Sequence, residues 1–381
     1  MMKRIETFFL VILLAAVALL VAARVRMSEP AAVPASGTGK TTPQPVDVTA
    51  DTPAPEPTAE PKEFVLSFVG DCTLNSSQNF VQSDVGYAAR MNGDYAYPFS
   101  NTVQYFKDDD MTFANLECTL SDRKLSSLEQ FYFISPTEWT NILLEGGVDF
   151  VTTANNHMAD FGDRGKDDTF AALESYGIPY GKEGEAQIVT TESGLKIGVY
   201  CDYNHLKPTQ EDAVAAIRRL KADGAEYILC MFHWGDEIHY TPKTRDQELA
   251  HACIDAGANL VYGSHTHNLQ PIEEYNGGVI LYSMGNWTFG GSTMPTDPDT
   301  AIVQVTVTRA SDGTVSNTGL DVIPCSATSQ PWVPKTHYND YRPTPYEEGS
   351  EGYGRVLSKL DGSFEPDSEG RDYSDYYASW G

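Results

Sequence analysis

Short apolar runs alternate with polar clusters over most of this chain. The first is FVLSFVGD, starting at Phe64. MTFANLE, VDFVTTANNH, LKIGVYCDY, AEYILCMFHWGD, ANLVYGSHTH and GVILYSMGN follow it. Each is rich in β-branched and aromatic residues, and most end in a polar cluster, which predicts buried strands. Helical patterns lie between them. Thr137 to Gly146 and Arg164 to Tyr176 read as helices. Glu211 to Ala222 sets Val214, Ile217 and Leu220 on one face, and Thr244 to Ala256 follows the next strand. Strands alternating with helices predict a layered α/β domain. AIVQVTVT and NTGLDVIP alternate apolar and polar positions, which predicts an antiparallel, half-buried pair.

The two ends break this pattern. Lys3 and Arg4 precede an unbroken apolar run from Phe8 to Ala23, and Arg24 and Arg26 follow it. This is the layout of a secretory signal or a signal-anchor. The run is shorter than the ~20 residues of a full span. Ala22 and Ala23 suit cleavage, but the Arg residues after them do not, so an uncleaved anchor over residues 1–27 is expected. No Cys follows the run, so a lipoprotein anchor is not expected. Residues 28–62 are rich in Pro, Ala, Thr and Glu, as in an extended linker. The globular domain is expected over 63–330. Residues 331–381 are acidic and Tyr-rich, and read as an irregular tail partly wrapped on the domain. The expected location is the cell membrane, single-pass, with the bulk of the chain extracytoplasmic.

Composition narrows the partners. The formal net charge is −27. That excludes nucleic acid, whose phosphates need Lys and Arg, and adhesion to anionic lipid through a basic patch. Apolar residues make up 41% of the 381 residues, enough for a sizeable core. The six Cys include no CxxC pair, so neither a zinc knuckle nor a thioredoxin-like motif is indicated. Cys201 and Cys230, inside apolar strands, fit buried free thiols.

The candidate chemistry sits at strand ends, where loops of an α/β sheet converge. Asp71 closes the first strand, and Gly70 before it permits a sharp turn. Glu117 follows a mostly apolar stretch, where a buried carboxylate needs a cation or donors. Asn155, Asn156 and His157 end the third strand, and Asp160 is spaced to orient the His157 ring. His233 ends YILCMF at an edge that a core histidine does not favour. His265 and His267 follow a Gly-Ser turn; two imidazoles at i and i+2 there can both reach Zn, Mn or Fe. Ser283 and Asn286 can close the pocket by hydrogen bonds. The chain holds eight His, and four of them fall at these ends.

Together FVGD, ANLE, TANNHMADFG, FHWGDE, GSHTH and YSMGN, running in order from about Phe64 to Phe289, resemble the CapA family of capsule and poly-γ-glutamate synthesis proteins. That family is itself similar to calcineurin-like metallophosphoesterases. The resemblance implies a four-layer α/β/β/α sandwich and two divalent ions. Asp71, Glu117 and His267 would hold one ion. Glu117, Asn156, His233 and His265 would hold the other, with His157 and Asp160 catalytic. Asn115, Asn155, Ser283 and Asn286 would face substrate. The expected partners are capsule-polymer synthesis or export proteins and an anionic polymer. The chain departs from the broader phosphoesterase pattern at two places. Thr73 stands where those enzymes have a His, and Glu117 where they have an Asp. Two functions follow: a metal-dependent hydrolase of phosphoesters or γ-glutamyl amides, and a non-catalytic polymer-binding or export subunit.

Overall fold

Parity along the strands decides which residues face the core and which reach the site. The computed structural model describes residues 60–203, 210–295, 297–331 and 336–366. The expected anchor, nearly all of the linker and the last fifteen residues lie outside the described residues. Among the described residues no helix is long and apolar enough to cross a membrane.

Two sheets carry the domain. In chain order the strands are β1 Lys62–Cys72, β2 Met111–Leu116, β3 Thr119–Leu120, β4 Ile134–Ser135, β5 Phe150–Thr152, β6 Tyr180–Gly181, β7 Glu185–Thr190 and β8 Lys196–Tyr203. Then come β9 Tyr227–His233, β10 Leu260–Ser264, β11 Ile272–Tyr275, β12 Gly278–Leu281, β13 Asp299–Arg309, β14 Val315–Ser326 and β15 Thr344–Pro345. One sheet has the order β15-β14-β13-β1-β2-β5-β6, the other β11-β12-β10-β9-β8-β7, and β3 pairs with β4 alone. The strands β1, β2, β5 and β6 run parallel, as do β8, β9, β10 and β12. The antiparallel β13–β14 pair is the one expected from its alternation.

Six helices are described: α1 Tyr87–Met91, α2 Asn141–Glu145, α3 Gly162–Tyr176, α4 Gln210–Ala222, α5 Thr244–Ala256 and α6 Glu351–Leu360. Four of these match the expected segments closely. The first of those begins as a tight turn over Thr137–Thr140 before α2. Between the sheets, Phe64, Leu66, Phe68, Phe113, Phe150 and Val305 pack with Val199, Leu229, Met231, Leu260 and Tyr262. Val69, Ala114 and Leu116 turn the other way, to Met91, Ile142 and Leu173. Ile228, Cys230 and Phe232 likewise face Ile217, Leu220 and Leu249. The chain is thus a mixed α/β fold with helices outside two facing sheets.

The stretch read as an irregular tail is different from that expectation. Tyr338 and Tyr341 do wrap onto the domain, both buried. Beyond them α6 is a regular helix whose Val356 and Leu360 join the core between the sheets. Val356 and Leu360 are one turn apart on it, and Ser350 caps its start by accepting from the Tyr353 N–H at 3.2 Å. All six cysteines are buried and free.

At the sheet end away from the site, Asp109 is partly buried near Asp149 and accepts from Thr112 Oγ1 at 2.6 Å. Burial raises its carboxyl to about 6, and Ser67 and Thr112 only partly offset this. A raised carboxyl favours the folded state at low pH and loses that advantage as pH rises through the folded value. Asp109→Asn is therefore expected to stabilise the protein at pH 8 and to leave it unchanged at pH 3. Denaturant midpoints at the two pH values check this; equal midpoints at pH 8 would refute it.

Candidate metal centre

The inward-facing row of several strands changes from apolar to polar at its C-terminal end. On β2, Phe113 is followed at the same parity by Asn115 and then Glu117. On β9, Leu229 and Met231 lead to His233. On β10, Leu260 and Tyr262 lead to Ser264, and on β8, Val199 and Cys201 lead to Tyr203. The site is the polar end of the core between the sheets.

Asp71 reaches this row by an irregularity. Phe68 pairs with Phe113 and Asp71 with Asn115, so β1 carries one more residue than β2 across that interval. Such an insertion flips the side chains beyond it to the opposite face. Without it Asp71 would share the outer face of Val69. Gly70 serves close approach rather than a turn: a Cβ there would lie 2.0 Å from the Gly285 carbonyl oxygen. That contact lets the Asp71 N–H donate to Gly285 O at 2.9 Å and joins the loop after β12 to β1.

Asp71 and Glu117 are both fully buried. The Asn115 amide sits between them, donating from Nδ2 to Asp71 Oδ1 at 2.8 Å and to Glu117 Oε2 at 3.0 Å. Its orientation is fixed by Asn155, whose Nδ2 donates to Asn115 Oδ1 at 2.9 Å and to Leu116 O at 2.8 Å. One oxygen of each carboxylate is thereby held, and the other is left facing the histidines. Glu117 Oε1 is buried with no hydrogen-bond partner. It lies 3.7 Å from His233 Nε2 and 3.9 Å from His157 Nε2. Ligand atoms of Asp71, Glu117 and His233 lie within 4.8 Å of one another.

Three of the histidines, His233, His157 and His267, are held from behind. Ser264 Oγ lies 2.8 Å from His233 Nδ1 and donates to Phe232 O at 3.2 Å. The hydroxyl can take the Nδ1 proton while giving its own to the backbone, which frees Nε2 as a ligand. That Nε2 is 2.8 Å from Asn156 Oδ1. His157 Nδ1 donates to Asp160 Oδ2 at 2.9 Å, so its Nε2 faces Glu117. Phe133 stacks edge-on against the His157 ring at 4.8 Å. His267 Nδ1 is 3.0 Å from Asn286 Oδ1 and 3.4 Å from Asp71 Oδ2. The His265 backbone N–H approaches the same Asp71 oxygen at 3.4 Å, and the His265 ring centroid is 4.5 Å from that of His233. His265 and His267 have φ of 96° and 58°. Two non-glycine residues in the left-handed region are strained backbone of a kind found at functional sites.

The electrostatics are those of a cation site. Burial pushes Glu117 well above the ordinary carboxylate range, and the charges of Asp71, Glu237 and Asp160 add to it. Burial alone would lower His267, but its contact with Asp71 and the charges of Glu237 and Asp71 outweigh this and raise it. In both cases the surrounding negative charge favours positive charge at this place. Hard oxygens and imidazoles around an unpartnered carboxylate oxygen fit a divalent ion.

The structure brings Asp71, Glu117, Asn156, His157, His233, His265 and His267 to one place. It puts Asp160 behind His157 and Asn286 behind His267. Asn115, Asn155 and Ser283 are instead internal. The first two form the amide relay, and Ser283 Oγ, fully buried, is 2.8 Å from Thr266 Oγ1 under the histidine loop. Substrate contact was expected of these three; the hydrogen bonds described tie them instead to Asp71, Glu117, Leu116, Thr266 and one another. Thr73 is fully buried, donating to Asn75 O at 2.8 Å and accepting from the Gly290 N–H at 2.7 Å, so it braces two loops. Ser264 and Tyr203 were missed. The parity of β8 and β10 could have found both.

Residues 65–291, more than half of the chain, match the family model described as bacterial capsule synthesis protein PGA_cap. The chain is 26% identical over 283 residues to the capsule biosynthesis protein CapA of Bacillus anthracis, a match spanning 66% of each chain and so just under two thirds of that relative. It is also 26% identical over 278 residues to the PGA biosynthesis protein CapA of Bacillus subtilis (strain 168), covering 67% of this chain and 71% of that one. Among solved structures, a hypothetical protein from Thermus thermophilus superposes with a TM-score of 0.43 at 16% identity, over 68% of this chain and 98% of that chain.

Proposed function

The chain belongs to the bacterial capsule synthesis protein PGA_cap family, and from that premise we propose that it is a CapA-like metal-dependent hydrolase of capsule or poly-γ-glutamate biosynthesis. The observation that carries the metal reading is Glu117 Oε1, buried and unpartnered between two imidazole Nε2 atoms. A buried carboxylate oxygen in that position costs free energy unless a cation joins it.

In this reading Asp71, Glu117, Asn156, His233, His265 and His267 hold two ions of the Mn, Zn or Fe type, in the metallophosphoesterase manner. Bound divalent ions would supply a water activated at neutral pH and charge stabilisation for the developing anion. The rest is done by this chain. Asn115 and Asn155 fix the two carboxylates. Ser264 orients His233. His157, held at Nδ1 by Asp160, presents Nε2 to protonate the leaving group. An uncleaved anchor over residues 1–27 and a spacer over 28–62 would hold the domain outside the membrane, near polymer synthesis and export proteins. A second reading, a non-catalytic polymer-binding or export subunit, is favoured by Thr73, which offers no ligand where phosphoesterases carry a His.

The test is elemental analysis of the full chain in detergent, then hydrolysis assays with a phosphodiester and a γ-glutamyl oligomer. His157→Ala is expected to keep its metal and to lose ~10²–10⁴-fold in turnover, the range for a positioned acid. Metal with no turnover of either substrate would leave the subunit reading.

A further inference from the structure

One wall of the site is aromatic. Between ring centroids, Phe289 lies 4.6 Å from His267, Phe133 lies 5.6 Å from Phe289, and Phe131 lies 5.5 Å from Phe133. Phe133 and Phe131 stand edge-on to the His157 ring at 4.8 and 6.4 Å. The row thus runs from His267 to His157. Phe133 and Phe289 are buried, whereas Phe131 is only half-buried. Phe131 therefore keeps ring surface for a ligand, beside His157.

The segment that carries Phe131 is pinned on both sides. Ahead of it, the Leu128 N–H and the Ser127 hydroxyl donate to Asp160 O at 2.7 and 3.2 Å. Behind it, the Phe133 N–H donates to Asp160 Oδ2 at 3.1 Å. Asp160 also holds His157, so Phe131 and His157 share one support. The Gln78 amide spans the two neighbours of Phe131. Its Nε2 donates to Gln130 O at 2.8 Å, and its Oε1 accepts from the Tyr132 N–H at 3.2 Å. Supports of this kind fix a side chain where a ligand can use it, and ligand sites are lined by such aromatic surface around a few placed polar groups.

We propose that Phe131 forms the leaving-group subsite, packing against an apolar or aromatic face of the group that departs. This rests on the hydrolase reading above and narrows its substrate class. The departing atom must come within hydrogen-bond reach of His157 Nε2 to receive its proton. What trails from that atom then meets the Phe131 ring. Substrates whose leaving group has a planar or methylene face are favoured over those that release a one-carbon amine or alcohol. The methylenes of the next residue in a γ-glutamyl chain are such a face.

The experiment uses the full chain in detergent, with Phe131→Ala and Gln78→Ala. Metal content is measured, then kcat/KM on γ-glutamyl anilide and γ-glutamyl methylamide. Comparing variant with native on each substrate cancels the difference in intrinsic reactivity. Phe131→Ala should keep its metal, lose about tenfold on the anilide, the size of one apolar contact to substrate, and be unchanged on the methylamide. Calorimetry follows phenylphosphonate and methylphosphonate, which need no turnover. The native protein should bind the phenyl compound about tenfold more tightly, and Phe131→Ala should bind the two alike. Gln78→Ala keeps the ring but frees its backbone, and should show a smaller preference than native. Equal binding of the two phosphonates by the native protein would overturn the proposal, as would a preference unchanged in Phe131→Ala. Loss of metal in both variants would make the segment part of the metal scaffold and would overturn it too. If neither amide is hydrolysed, the hydrolase reading fails on these substrates, and the phosphonate pair still decides whether Phe131 is an apolar subsite.

Discussion

Glu117→Gln is expected to empty the site of metal and, in the metal-free protein, to raise stability. Both effects come from the same atom. Glu117 Oε1 is the buried, unpartnered oxygen that faces His157 and His233. Gln keeps the shape and lets its carbonyl oxygen accept from Asn115, as Glu117 Oε2 does now. Its amide hydrogens then point at the imidazole Nε2 atoms and satisfy them. The change removes the central negative ligand, so metal affinity should fall beyond the ~10–100-fold that an outer-shell substitution costs. It also removes a desolvated acceptor, a gain of about 1–3 kcal/mol in the stripped protein. Metal analysis checks the first effect, and thermal unfolding after chelation checks the second. A metal-free Glu117→Gln protein less stable than native would mean that the carboxylate is already satisfied and that the cation argument is wrong. Adding metal should raise the melting temperature of the native protein alone.

Most of the site was legible because its residues lie at the ends of apolar runs. The period of two on β2 and β9 carries Glu117 and His233 inward, and four of the eight His mark the same edge. What was not legible depends on events between strands. Asp71 faces inward only through the extra residue on β1, which a single strand's pattern cannot show. Asn115 reads as a polar group available to substrate until its partner Asn155, forty residues on, is seen to hold its amide. The helix α6 was hidden by composition, since Gly352, Gly354 and the surrounding acidic residues read as an irregular segment. Its contribution comes from long-range contacts that no local pattern carries.

Those contacts give the other large effect, expected from Lys359→Met. Lys359 lies on α6, and its side chain is fully buried. Its Nζ donates to Asp297 Oδ1 at 2.8 Å, Asp297 Oδ2 at 2.6 Å and Asp299 Oδ2 at 2.6 Å. Arg355, one turn earlier, donates to both Asp299 oxygens at 2.6 and 2.7 Å. Tyr240 and Tyr346 donate to Asp297 and Asp299 at 2.7 and 2.8 Å. Two buried carboxylates are thus neutralised by two cations from one helix, beyond the residues that match the family. Methionine restores the stem but not the charge, and leaves Asp297 buried with only hydroxyl and amide donors. Breaking one side of a buried pair costs about 3–5 kcal/mol, a fall in melting temperature on the order of 10 °C for a domain of this size. Arg355→Met should cost less, because Lys359 still reaches Asp299. The double change Lys359→Met with Asp297→Asn should recover a large part of the loss, since it removes the stranded charge as well. Chemical denaturation of the four proteins checks this series. No recovery in the double variant would show that packing of α6, rather than charge, carries the stability, whereas recovery would show that α6 is latched onto β13 by its cations and that the domain extends at least to Leu360.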